Sequence, residues 1–156
     1  MKVFIQQLRF YQNKQVHQEL TERKNSEKYK KSGLTPEKAE YIKELIFEAF
    51  EKEQLHRNNR LDLNQLAETI KQDRYKISEV LNSYCSKNFY AFLNEYRIRD
   101  AKSLLAQNPF VSVKSVMYEV GFNSKNSFYT AFKKDTGLSP NEFRNLARYQ
   151  YSTQVA

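Results

Sequence analysis

The run Ser112-Val113-Lys114-Ser115-Val116-Met117-Tyr118-Glu119-Val120-Gly121-Phe122-Asn123-Ser124-Lys125-Asn126-Ser127-Phe128-Tyr129-Thr130-Ala131-Phe132 decides the fold class. Ser112 supplies a hydroxyl N-cap, and Val113, Val116, Met117 and Val120 recur at the three-and-four spacing of a buried helix face. Gly121 closes that short helix in the left-handed conformation. Asn123 or Ser124 opens a second helix, whose inward residues are Phe128, Ala131 and Phe132 and which Gly137 closes. A short helix, a tight turn and a second helix make the helix-turn-helix pattern.

The pattern occurs twice. Upstream, Asp62-Leu63-Asn64-Gln65 is an acidic capping box for a short helix ending near Ile70. Lys71-Gln72-Asp73 forms the turn, Asp73 caps the next helix, and Ile77, Val80, Leu81 and Tyr84 are its expected inward stripe. Ala67 has to be small because the second helix crosses closely there. The later copy has one extra residue in its turn, and the copies lie about 50 residues apart. Between them a helix from about Asn88 to Gln107, with Phe89, Phe92, Leu93, Tyr96, Ala101, Leu104 and Leu105 inward, is stopped by Asn108-Pro109. About 20 residues at ~1.5 Å each span ~30 Å, close to the ~34 Å turn of B-DNA that separates successive major-groove faces. One chain can therefore seat both second helices on one face of a duplex.

Outside the repeat, Thr35-Pro36-Glu37 starts a helix over 36–55 with Ile42, Leu45, Ile46, Ala49 and Phe50 inward. Ser139-Pro140-Asn141-Glu142 starts a last short helix through Phe143 and Leu146, and the tail 149–156 is left unassigned. The expected architecture is all-α, with about seven helices: two helix-turn-helix units joined by a long linker helix, behind a polar N-terminal arm. The expected divisions are the arm or linker 1–33, a packing helix in 34–60, the first unit 61–87, the linker 88–108, the second unit 109–148 and the tail 149–156.

Residues 61–146 resemble the C-terminal DNA-binding domain of AraC/XylS-type transcription regulators. The stretch Glu119 to Phe128, its continuation Ala131 to Pro140 and the pair Phe143-Arg144 carry the resemblance most specifically. Phe89 to Arg97 and Ala101 to Leu105 are similar to the linker helix of that family. Lys71 and Met117 stand where the family usually has small residues. The resemblance implies two helix-turn-helix units on adjacent major-groove segments of double-stranded DNA, regulating promoters together with the transcription machinery. Residues 26–35 are similar to linkers that join such domains to larger sensor portions, some membrane-embedded. The chain is accordingly read as a fragment of a longer regulator, with a stand-alone short member as the alternative. An upstream sensor domain or a homodimer partner belongs to that expectation.

On the first recognition helix Arg74, Tyr75, Lys76, Ser78, Glu79 and Asn82 lie off the apolar stripe; on the second, Lys125, Asn126, Tyr129, Thr130 and Lys133 do. Asn suits adenine, Arg or Lys suits guanine, an acid can accept from cytosine, and Tyr or Thr can meet a thymine methyl. Ser112, Ser124 and Ser127 can hold phosphates.

Composition limits the other classes. The net charge is +8, divided as +5 over 1–33, −1 over 34–60, +1 over 61–108 and +3 over 109–156. The acidic partner it suggests is DNA on this reading; the alternative is a basic adaptor docking acidic proteins or anionic membrane through residues 1–33. One cysteine excludes an internal disulfide, and a reducing cytoplasm is the expected location, or the cytosolic side of a membrane-anchored regulator. Cys85 is expected to be a small buried residue. His17 and His56 are expected on the surface, without metal-ligand spacing. No nucleophile–base pair, cofactor motif or metal cluster is read, so no enzyme is expected.

Overall fold

A computed structural model describes residues 33–108 and 110–155, with side chains described to Gln150. The described residues form seven α-helices and no strand: α1 (Pro36–Glu51), α2 (Leu63–Ile70), α3 (Arg74–Tyr84), α4 (Phe89–Gln107), α5 (Val113–Glu119), α6 (Lys125–Thr136) and α7 (Pro140–Val155). All but Gly33 of the arm expected over 1–33 falls outside the described residues, as does His17.

The caps anticipated from residue type set the boundaries. Thr35 accepts from the Lys38 amide, Asp62 from Gln65 and Ser112 from Ser115, while Asn88, expected only as the approximate start of the linker helix, also caps it by accepting from Ala91. Asp73 accepts from two amides, Tyr75 at 2.9 Å and Lys76 at 3.1 Å. At the last helix Ser139 and Glu142 bond reciprocally, side chain to amide, as a capping box requires.

Two apolar cores divide the molecule, and α4 contributes to both. Its first half gives Phe89, Phe92, Leu93 and Tyr96 to a core shared with α1, α2 and α3. Its second half gives Ile98, Ala101 and Leu105 to a core shared with α5 and α6. Phe50 anchors the first core and Phe128 and Phe132 the second, all three fully buried. Each contributes about 1.5–3 kcal/mol through its burial.

Four features differ from the expectations. The first helix ends at Glu51 rather than near residue 55. Gln54 turns left-handed at φ 53°, and Leu55–Arg57 form a single 3-10 turn. That turn carries His56 inward, so the expected surface histidine is 1% exposed. Its ring sits beside Phe50 and Tyr96, and Nε2 lies 2.8 Å from Asp100 Oδ2. The partner is 44 residues away in sequence, so no local pattern announces the burial. Tyr84, expected inward, is 48% exposed at the end of α3. The last helix does not stop after Leu146: no glycine or proline follows Pro140, and α7 runs to Val155.

Candidate nucleic-acid interface

In the first unit the turn between α2 and α3 is closed by Lys71, left-handed at φ 52°, whose amide bonds back to the Ala67 and Glu68 carbonyls. A lysine pays a steric penalty there that glycine would not. Asp73 then presents the first turn of α3. Arg74 is exposed and donates through Nη1 to Asn64 Oδ1 at 3.0 Å, which ties the guanidinium to α2. The same guanidinium stands 4.9 Å from the Tyr75 ring centre, and Tyr75 itself is 70% exposed. An aromatic ring held so far out of the core is available to a partner.

The other positions of α3 differ among themselves. Lys76 and Ser78 are half-buried. Asn82, also half-buried, donates back to the Ser78 carbonyl at 2.7 Å. Glu79 is buried, 8% exposed, and this corrects its assignment to the outward face.

In the second unit Ser124 caps α6 by accepting from the Ser127 amide. Lys125, Asn126, Ser127, Thr130 and Lys133 are exposed. The structure separates them into two groups. Asn126, Ser127 and Thr130 line a cleft of about 760 Å³ shared with Lys87, Asn88 and Asn94 from the start of α4. Lys125 and Tyr129 line a second cleft, of about 460 Å³, together with Ser112, Lys114, Asn141 and Arg144. Lys125 Nζ lies 5.1 Å from the Tyr129 ring centre, and the Tyr129 hydroxyl accepts from Asn141 Nδ2 at 3.0 Å.

This second cleft has three cations and no carboxylate among its lining residues. Arg144 Nε is buried without a hydrogen-bond partner, and Nη1 makes only a 3.4 Å bond to the Val111 carbonyl. The guanidinium thus keeps donors in reserve beside two lysines, a setting that favours an anion. Lys114, Asn141 and Arg144 were not among the sequence candidates. They come from α5 and α7, and no spacing along the chain shows that they meet Lys125.

Cys85 is half-buried, and burial pushes its thiol up, away from a reactive thiolate. No group of metal-binding side chains occurs among the described residues. No described helix is long and apolar enough to cross a membrane.

The family described as a helix-turn-helix domain matches residues 66–146, just over half of the chain. The chain belongs to the AraC/XylS-type helix-turn-helix family. It is 28% identical over 86 residues to the xylose operon regulatory protein of Haemophilus influenzae, covering 55% of this chain and 22% of that protein. It is 40% identical over 73 residues to an uncharacterised HTH-type transcriptional regulator from Pseudoalteromonas carrageenovora, covering 42% of each. The chain therefore spans less than half the length of these AraC/XylS-type relatives. Among solved structures, the DNA-binding domain of AdpA, a global transcriptional factor captured with a target DNA, is similar at a TM-score of 0.60 and 25% identity. That match covers 70% of this chain and 94% of the AdpA domain. The family is one of transcription regulators, not of enzymes.

Proposed function

We propose that the chain binds a specific double-stranded DNA site, laying α3 and α6 in two successive major-groove segments, and that it regulates transcription from that site. One observation carries this reading: Arg74 and Tyr75, and Lys125 and Asn126, are exposed at matching first-turn positions of two recognition helices on one shared linker. With 19 residues, α4 spans about 28 Å, within reach of the ~34 Å groove repeat.

Asn126 is the candidate for a bidentate adenine contact, Arg74 and Lys125 for guanine, and Tyr75 for a thymine methyl. Lys114, Lys133, Arg144 and the hydroxyls of Ser112, Ser124 and Ser127 are the candidate phosphate contacts, which position the protein without reading sequence. Ser78, Lys76, Asn82 and Thr130 are the remaining candidates at the edge of these faces. The incomplete coverage of the relatives favours an output domain acting with a sensor portion of a longer regulator.

The test is selection from a pool of random duplexes at moderate salt. The expected product is a motif of two half-sites about ten base pairs apart, centre to centre. A pool in which nothing is enriched would defeat the reading.

A further inference from the structure

We propose that residues 56–59 form a clasp that sets the separation and orientation of α3 and α6, and so determines which half-site spacing the chain accepts. The inference rests on the two-site reading above.

The two apolar cores share no residue; α4 is the element that feeds both. A lone helix between two independent cores would let the units bend and twist about one another. A second connection runs alongside it. Arg97 stands on α4 between Tyr96 of the first core and Ile98 of the second, and is 7% exposed. Its Nε donates to the His56 carbonyl at 2.7 Å and its Nη2 to the Asn58 carbonyl at 2.8 Å. Burial pushes the guanidinium down to about 10, which leaves it charged at neutral pH. One turn further along, Asp100 Oδ2 accepts from Arg57 Nε and Nη2 at 3.1 and 3.0 Å and bonds His56 Nε2.

The same segment also touches the second unit directly. Asn123 Nδ2 donates to the Asn59 carbonyl at 2.9 Å. Gly121, at φ 98°, brings its backbone so close that a methyl group there would lie 2.6 Å from the His56 carbonyl oxygen and 2.9 Å from that of Arg57. The Arg97 guanidinium lies 5.4 Å from the Phe122 ring centre. Residues 121–123 lead straight into Ser124, the cap of α6, so whatever holds them holds the start of that recognition helix.

None of these groups stands on the outward face of a recognition helix; Asn123 also borders the cleft that holds Lys125 and Arg144, so its loss is read by half-site spacing rather than by affinity. Geometry makes the effect large: over a lever arm of about 28 Å, a rotation of about 7° displaces one recognition helix by ~3.4 Å, one base-pair step. Fixing the angle fixes the register between half-sites.

The experiment compares the full chain with its Asn123→Ala and Arg97→Lys variants. Each is used to select from duplexes carrying about 30 random base pairs, room for two half-sites and their flanks. Asn123 is exposed, so its loss leaves both cores intact. The parent should enrich paired half-motifs at a single separation, and one inserted base pair should weaken its binding at least about tenfold. The variants should enrich the same half-motifs at several separations, with the insertion penalty falling below about threefold. Variants that lose affinity uniformly while keeping the parent's spacing penalty would show the clasp to be structural only, and the proposal would fail. If the parent enriched no paired motif, the two-site reading would fall first and the clasp with it.

Discussion

Asn126 and Tyr75 occupy the same place on their recognition helices, second in the first turn, and both side chains project outward. Replacing a side chain that reads a base removes discrimination at one position, whereas replacing one that holds a phosphate weakens all sequences alike. Asn126→Ala should therefore cost about 1–3 kcal/mol on the selected duplex and leave binding to scrambled duplex nearly unchanged. Arg74→Ala should behave likewise in the other half-site, and titrations of both duplexes measure the difference. Gly121 makes a separate residue-scale prediction. Gly121→Ala adds a left-handed penalty of about 1–2 kcal/mol before any contact is counted. The backbone oxygens crowding its Cβ position raise that cost, because neither can swing aside as a side chain would. Its melting temperature should drop by more than about 4 °C. Residue type alone marked the exposed first-turn positions of α3 and α6. It misplaced Glu79 and His56, since burial of a polar side chain depends on what crosses it from distant sequence, and no helical period encodes that.

Elements were the most legible scale, because their signals are local. A cap acts within three residues, so Asp62, Asp73 and Ser112 could each be read in place and Ser124 as one of two neighbours, whereas Asn88 marked only the approximate start of α4. The 3-10 turn at Leu55–Arg57 was not legible, as its cause is the docking of His56 and Arg57 onto Asp100 of α4. Asp73 caps α3 with two accepted amides, and Asp73→Ala should destabilise the protein by about 1 kcal/mol, lowering the melting point by about 2–4 °C. It should also weaken duplex binding, since the freed turn carries Arg74 and Tyr75. Asp100 supplies a pH dependence. Burial raises its carboxyl, but hydrogen bonds from His56 and Arg57 outweigh that and hold it below the ordinary value of 3.8. A carboxyl lowered on folding stabilises the protein fully above the unfolded value and loses that contribution as pH falls through the folded one. In urea unfolding across pH 5 to 2, the parent's stability should fall more steeply than that of Asp100→Asn. Equal slopes would show that the clasp carboxylate contributes nothing.

The whole molecule carries its charge unevenly, and that makes its salt dependence informative. Of the net +8, residues 1–33 hold +5, with eight Lys and Arg against three Glu, while 34–156 share the rest. The proposed interface includes six cations: Arg74, Lys76, Lys114, Lys125, Lys133 and Arg144. If all six lie against phosphates, Arg74 and Lys125 doing so beside the guanines they are proposed to read, log affinity should fall against log salt with a slope of about −5, roughly a thousandfold between 50 and 200 mM. If residues 1–33 also lay along the backbone, their excess charge would steepen the slope towards about −10. The two values are far enough apart for one titration of the full chain to separate them. The selected and the scrambled duplex should give parallel lines near −5, because base contacts release few counterions and add a gap that salt does not close. A slope near −10 on both, with no gap, would instead make the basic segment the binder and reduce the two recognition helices to scaffolding.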